Sequence, residues 1–132
     1  MFDGISDAFR SNPIYFVAVA FQALGALVIG LIGLLSALRS KGALLSVFAT
    51  ILAFSSVAVG AFGTVMGRVH VDAAVATPGL SQRDRDRIRD FGYAEALANT
   101  SFAAIVALPG LALGIAGIFI ARQRRRERPN AS

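Results

Sequence analysis

Three long apolar runs alternate with short polar segments along this chain. The runs cover residues 14–38, 42–66 and 101–121, and none of them contains Asp, Glu, Lys, Arg or His. Each is close to or above the roughly 20 residues that an α-helix needs to cross about 30 Å of hydrocarbon. Lipid offers no hydrogen bonds to an irregular backbone, so transmembrane helices are expected. The pattern therefore predicts an all-α membrane protein with three transmembrane helices.

The polar segments set the expected organisation. Only Arg39, Ser40 and Lys41 separate the first two apolar runs, so these two helices are expected to form an antiparallel hairpin. The expected segments are an outward-facing N-terminal segment (1–12), a transmembrane hairpin (13–67, with helices 14–38 and 42–66), a charged loop or helical extension (68–100), a third transmembrane helix (101–121) and a basic cytoplasmic tail (122–132).

The charged segment between the second and third runs has its own local signals. Thr77–Gly79 contains Pro and Gly and predicts a turn, and Ser81 is a typical N-cap for a helix that follows. A helix over Gln82–Asn99 would be supported by pairs such as Asp86 with Arg89, three residues apart. The charged segment at residues 82–90 is either a solvated, charged surface or a docking surface for a partner.

Composition agrees with a membrane location and argues against an enzyme. The chain has 132 residues, of which 55% are hydrophobic, and its mean hydropathy of +0.64 is far above that of a soluble domain. It has no cysteine and one histidine, His70, which we interpret as an interfacial residue rather than a proton relay. The sequence contains no phosphate loop and no metal-ligand spacing, so we expect no catalytic residues, no metal and no cofactor.

Basic residues predict the orientation. The hairpin tip and the tail that begins at Arg122 are both basic and lie on the same side of a three-span protein. The positive-inside rule places that side in the cytoplasm and the N-terminus outside. We interpret the tail as a topology anchor that also attracts anionic lipid, and we do not expect nucleic-acid binding.

Small residues recur at steps of three and four along all three helices, which is typical of close helix packing in lipid. We expect such seams to pack against neighbouring subunits as well as within the chain, which favours a homo-oligomeric ring. The seam of the first helix comprises Ala20, Ala23, Ala26, Gly30, Gly33 and Ala37. The second comprises Ser46, Ala49, Ala53, Ser56, Gly60, Gly63 and Gly67, and the third Ala96, Thr100, Ala103, Ala107, Gly110, Gly114 and Gly117.

Two threonines lie on or beside these seams. Thr64 is one turn from Gly60 in the second run, and Thr100 stands at the outer end of the third. A hydroxyl in hydrocarbon needs a hydrogen-bond partner. Each threonine therefore either bonds to the carbonyl four residues earlier in its own helix or belongs to a polar pathway through the membrane.

These two regions resemble the MotA/TolQ/ExbB proton-channel family. The family's second helix typically carries Gly-x-x-Gly-Thr-Val-x-Gly, which is matched by Gly60–Gly67, and its third helix carries a Thr-to-Pro spacing that is matched by Ala96–Pro109. The chain departs from the family in lacking a large cytoplasmic domain between the first two helices. Ala103 also stands where the family has a glycine.

The resemblance implies a stator subunit of the bacterial inner membrane. Members assemble as a ring, usually of five, around the single transmembrane helices of an ExbD/TolR-like partner, whose aspartate takes up and releases the transported proton. The resemblance implies that Thr64 and Thr100 line the pore. Glu95, at the outer mouth of the third helix, is a further pore-lining candidate that either attracts cations or is simply solvated. Pro109 is expected to kink the third helix, either to expose a carbonyl or simply for packing. The alternative function is a non-conducting membrane scaffold assembled through the small-residue seams.

Overall fold

The computed structural model describes residues 13–39 and 43–127, which form three long α-helices. They are α1 (Pro13–Leu38), α2 (Leu44–Val75) and α3 (Gln82–Glu127). All three are long and apolar enough to cross a membrane. The predicted fold class is confirmed: this is an all-α, multi-pass membrane protein. The predicted segments at residues 1–12 and 128–132, and residues 40–42 of the hairpin tip, lie outside the described residues.

The two later helices extend well past their apolar runs. With 32 residues in α2 and 46 in α3, they measure about 48 Å and about 69 Å, whereas the hydrocarbon layer is about 30 Å thick. Of the charged segment 68–100, only residues 76–81 are not helical. The charged region is therefore mainly an extension of α2 and α3 beyond their apolar runs, where the two helices face each other as an antiparallel pair.

A short turn joins these extensions. The predicted turn at Thr77–Gly79 is present, and Gly79 adopts a φ of 92°, which favours glycine. The Ser81 hydroxyl accepts a hydrogen bond from the Asp84 N–H at 3.2 Å and donates to the Asp84 carboxylate at 2.6 Å. Ser81 thus caps the start of α3, as its position in the sequence predicts.

The small-residue seams meet one another inside the single chain. Gly30 lies against Gly110, and a methyl group on Gly33 would fall 2.6 Å from the Ser46 nitrogen. A Cβ on Gly60 would collide with that of Ala103, so α2 and α3 approach closely there. Residues of all three seams are buried in this way, among them Ala26, Ala37, Ala49, Ala53, Gly60, Ala103, Ala107, Gly110, Gly114 and Gly117.

This packing bears on the expectation of a homo-oligomeric ring. The seams were expected to leave surface for neighbouring subunits, but three helices in contact pairwise bury nearly all of it. The exceptions are Ala20, which is exposed, and Gly63, Gly67 and Thr100, which are half-buried. The seams account for the fold of one chain and supply no separate reason for a ring.

Pro109 lies within α3, which continues through it as one helix. Its side chain is exposed, while the next residue, Gly110, is buried where a methyl group would fall 2.9 Å from the Ala26 Cβ. Proline has no N–H and cannot donate to the Ile105 carbonyl, four residues earlier. The close contact with α1 is made by Gly110 rather than by the proline.

Near its C-terminal end, α3 is hydrogen-bonded to the end of α1. The Arg124 guanidinium donates a hydrogen bond to the Leu38 carbonyl, one of the free carbonyls at the end of α1. A basic side chain at a helix C-terminus also complements the helix dipole. Arg124 therefore stabilises the contact between α1 and α3, besides belonging to the basic tail.

Candidate functional site: an interhelical threonine pair

The two threonines of the sequence motifs form a hydrogen-bonded pair between α2 and α3. Their hydroxyl oxygens are 2.7 Å apart. The Thr64 hydroxyl also donates to the Ala96 carbonyl at 2.8 Å. A hydroxyl has a single proton, so Thr64 accepts in the pair and Thr100 donates. The geometry therefore fixes the direction of both hydrogen bonds.

Other hydroxyls in the spans show the local bonding that the sequence left as an alternative. Thr50 donates to the Ser46 carbonyl at 2.9 Å, and Ser101 donates to the Leu97 carbonyl at 3.2 Å. Each of these acceptors lies four residues earlier in the same helix, the usual arrangement for threonine and serine in apolar helices. Thr64 differs because both of its hydrogen-bond partners belong to another helix.

Glycines on either side of the pair bring the two helices together. Gly60 lies against Ala103 one turn below Thr64, and Gly67 lies against Ala96 about one turn above it. Larger side chains at these positions would hold the backbones apart, since a methyl group on Gly67 would fall 2.8 Å from the Ala96 Cβ. The motif glycines therefore set the distance over which the threonines bond.

The pair is unequally exposed. Thr64 is 8% exposed and enclosed between α2 and α3, whereas Thr100 and Glu95 are half-buried. Of the three predicted pore-lining residues, Thr100 and Glu95 thus have surface that a neighbouring helix could contact. Thr64 contributes mainly by holding Thr100 in place.

Glu95 lies on the wall of a cavity just outside the pair. This outer cavity has a volume of about 470 Å³ and lies where α1, α2 and α3 meet. Its polar wall residues are Tyr15, His70, Glu95 and Asn99, and Asn99 precedes Thr100 in the chain. His70 and Glu95 also line a wider groove of about 1410 Å³ between the charged extensions.

Tyr15 and Asn99 were not among the residues singled out from the sequence. Tyr15 is in α1, and its hydroxyl oxygen is buried without a hydrogen-bond partner among the described residues. The signal in the sequence is weak, because a tyrosine at the end of a membrane span is ordinary. Its link to Glu95 depends on the packing of α1 against the other two helices.

A polar contact deeper in the membrane was also missed. Gln22 of α1 donates a hydrogen bond to the Ser55 hydroxyl of α2, and Ser55 donates to the Leu52 carbonyl at 3.0 Å. Gln22 is the only amide side chain in residues 14–38, so its position in the sequence was a usable signal. It joins α1 to α2 in a region where polar pairs hold helices together.

The outer extensions are joined by a cluster of charged and aromatic residues, which we call the outer clasp. Asp72 of α2 accepts a hydrogen bond from the Tyr93 hydroxyl at 2.7 Å and lies 3.7 Å from Arg89. Arg68 stands over the Tyr93 ring, 5.4 Å from its centre. Arg89 was expected to pair with Asp86 along its own helix, but within residues 13–39 and 43–127 its salt bridge is to Asp72 on α2.

The clasp alters the acidity of Tyr93, which lies outside the apolar runs. The hydrogen bond to the Asp72 carboxylate raises the pKa of the Tyr93 phenol, because the bond requires the phenol to keep its proton. Partial burial and the negative charge of Asp72 act in the same direction, while Arg89 and Arg68 oppose them.

Among the described residues, no three His, Cys, Asp or Glu side chains come close enough to hold a metal ion. Comparison with models of protein families, with curated proteins and with solved structures finds no match to this chain. Its function is therefore argued from the threonine pair and its surroundings.

Proposed function

We propose that this chain is an ExbB/TolQ-like stator subunit that conducts protons together with a single-span partner. One observation carries the proposal: the threonines of the two family-like motifs meet in a 2.7 Å hydrogen bond between α2 and α3. Motifs that resemble a proton channel would be incidental if their hydroxyls were apart or bonded to their own helices. Their direct contact is what a shared role requires.

The chemistry of the spans supports a proton acceptor on another chain. The apolar runs contain no Asp, Glu, Lys, Arg or His, so the subunit supplies hydroxyls but no group that ionises in the membrane. A partner aspartate at the level of Thr100 would bind the proton, and the Thr100 hydroxyl can reorient to donate to it. One charge crossing the membrane releases about 2.3 kcal/mol per 100 mV, which the assembly would convert into mechanical work.

The assembly and its location belong to the same proposal. The subunits form a homo-oligomeric ring, of five by family resemblance, in the bacterial inner membrane, with the N-terminus outside and the C-terminus in the cytoplasm. The half-buried surfaces of Thr100 and Glu95 support a pore-facing position. The basic residues that follow α3's apolar run support the orientation.

The second candidate function is a non-conducting membrane scaffold. Thr64 is buried and both of its hydrogen bonds stay within the chain, so the pair also stabilises the contact between α2 and α3 without any role in conduction. In that case the hydroxyls would matter for stability alone. The two functions differ in whether removing the hydroxyls changes proton flux in a correctly folded protein.

Proton flux into liposomes tests the proposal. The genes beside that of this chain are first searched for a single-span, aspartate-bearing protein. The chain is then reconstituted with and without that protein, and a pH-sensitive dye reports uptake under an imposed potential. We expect flux only when both proteins are present, and we expect Thr100→Val to reduce it at least about tenfold, which corresponds to about 1.4 kcal/mol in the barrier.

Thr50→Val is the matched control, because it removes a hydroxyl from the same apolar environment while that hydroxyl bonds only within α2. It should leave flux unchanged. If flux persists in Thr64→Val combined with Thr100→Val, the threonines are structural. If the neighbouring gene encodes no such partner and the chain alone is inert, the scaffold function is favoured.

A further inference from the structure

We infer that the outer cavity is a water-filled vestibule that brings solvent from the outer surface to the threonine pair within a single subunit. The cavity lies between α1, α2 and α3, and its existence does not depend on a ring or a partner. Its role as a proton entrance rests on the proposed function, whereas its hydration does not. Tyr15 of α1 forms one side of it.

The first support is the size of the cavity. Tyr15 lines it, although the Tyr15 hydroxyl oxygen is itself enclosed by protein and does not face the open space. The volume of about 470 Å³ is many times the roughly 30 Å³ that one water molecule takes in the liquid.

The second support is the polar wall of the cavity. Glu95, Asn99 and His70 face the same space, and between them they offer both donors and acceptors. A water molecule is retained where it makes two to four hydrogen bonds, and an apolar cavity of the same size would stay dry. Phe62 and Met66 form the apolar part of the wall.

Three glycines, Gly63, Gly67 and Gly92, line the cavity and let its walls pack closely. A Cβ on Gly63 would lie 2.9 Å from the Tyr15 hydroxyl. Any larger residue at Gly63 must therefore displace the Tyr15 ring, which forms part of the cavity wall. Gly63 and Gly67, first interpreted as helix-packing residues, are half-buried and serve partly as cavity wall.

The floor of the cavity reaches the threonine pair. Ala96 and Asn99 line it, and the Ala96 carbonyl is the acceptor of the Thr64 hydroxyl. Asn99 is adjacent to Thr100 in α3. Water in the cavity would therefore lie beside Ala96, the residue whose carbonyl accepts the Thr64 hydrogen bond.

Cysteine accessibility tests the vestibule, because the chain has no cysteine and an introduced thiol reports alone. In liposomes, Asn99→Cys places a thiol on the cavity wall, and a charged, membrane-impermeant methanethiosulfonate is added from outside. Ala98→Cys is the control: it is the preceding residue at the same depth, but it packs against Phe16. We expect Cys at position 99 to react at least about tenfold faster, since a charged reagent enters only hydrated space.

Filling the cavity should close it. Gly63→Val should slow labelling at position 99 at least about tenfold, because the branched side chain occupies space beside the Tyr15 ring. Ala61→Val adds the same side chain to α2 two residues away, where it is exposed, and should leave the rate unchanged. Equal labelling at positions 98 and 99, or labelling only by an uncharged, lipid-soluble maleimide, would overturn the proposal and assign the space to lipid.

A measurement on the unmodified protein covers the case of variants that fail to fold. Hydroxyl radicals generated from water by X-rays should oxidise Tyr15 at least about tenfold faster than its neighbour Phe16, which is 1% exposed. Similar rates for the two rings would contradict a hydrated cavity. Flux assays then separate the two proposals. If the cavity is labelled but no proton flux is measured, only the stator function is contradicted. If proton flux is unchanged in Gly63→Val, only the role of the cavity as a proton entrance is contradicted.

Discussion

At the scale of single residues, the threonine pair shows how a hydroxyl can be satisfied in lipid without local back-bonding. Thr64 bonds to both the side chain and the backbone of α3, while Thr50 bonds only within α2. The difference follows from the close approach of the helices at Gly60 and Gly67. An interhelical hydrogen bond in a membrane contributes modestly, about 0.6 kcal/mol on average and up to about 1.7 kcal/mol.

A double-mutant cycle measures the pair directly. Thr64→Val should lower the free energy of unfolding by about 1 kcal/mol and Thr100→Val by a similar or smaller amount, because each removes a hydroxyl of the same bond. The double variant should cost less than the sum, with a coupling of about 0.5–1.5 kcal/mol. Reversible unfolding in mixed micelles gives the energies.

The control for this cycle replaces Thr100 by Val together with Thr50→Val. Thr50 has no bond to Thr100, so these two changes should be additive within about 0.5 kcal/mol. Additivity for Thr64 with Thr100 as well would mean that the 2.7 Å contact contributes nothing to stability.

At this scale the sequence singled out the two threonines but did not predict which hydrogen bonds they make. The threonines were found because a hydroxyl stands out in an apolar run, and the same signal at Gln22 was not used. Tyr15 and the outer clasp could not be predicted, because their significance arises from contacts between residues far apart in the chain. Arg89 is an example: its spacing along α3 predicts a salt bridge with Asp86, but the fold brings Asp72 of α2 within salt-bridge distance.

At the scale of elements, the three helices divide their lengths between membrane and solvent. Periodicity and apolar runs located the spans and the Ser81 cap, since both are local properties. They did not locate the end of α2 at Val75, which lies nine residues past the apolar run. That extension is helical because α3 covers it: Val75 is buried, and Asp72 and Val71 contact Tyr93 and Gly92.

The ionisation of Tyr93 reports whether the clasp holds α2 to α3. The pKa of Tyr93 is raised above its ordinary value of about 10 by the bond to Asp72. A group with a raised folded-state pKa stabilises the fold fully below its unfolded-state pKa and loses that contribution as the pH rises through the folded-state value. The clasp should therefore be intact at neutral pH and weaken above about pH 10.

Absorbance of the tyrosinate near 295 nm checks this in a Tyr15→Phe background, where Tyr93 is the remaining tyrosine. Asp72→Asn should shift the Tyr93 pKa down, towards its ordinary value, because the carboxylate acceptor and its charge are gone. Asp86→Asn, at a carboxylate that instead accepts from Gln82, should leave it unchanged. An equal shift in both variants would show that general charge, rather than the bond, sets the pKa.

At the scale of the whole molecule, the protein is a three-helix membrane unit that buries its small-residue seams within itself. What remains for neighbours is a lipid-facing surface of large apolar side chains and a polar outer face. Thr100 and Glu95 are half-buried and keep surface that a partner could contact.

Topology provides the prediction at this scale. Asp86→Cys and Gln123→Cys place single thiols at opposite ends of α3, both on exposed positions. In intact cells, a membrane-impermeant maleimide should label position 86 and reach position 123 only after permeabilisation, because the arginines that follow the third span retain that end in the cytoplasm. The reverse pattern would invert the orientation and move the outer cavity to the cytoplasmic side.

The unbroken helix at the start of α3 also has a mechanical consequence. No proline interrupts the stretch from Gln82 to Thr100, so this part of the 46-residue helix can act as a stiff arm rooted at the threonine pair. The arm is about 28 Å long, and a tilt of about 10° at its base would displace its tip by about 5 Å. A force applied to the arginine- and aspartate-rich tip would thereby act with leverage on the 2.7 Å contact between Thr64 and Thr100.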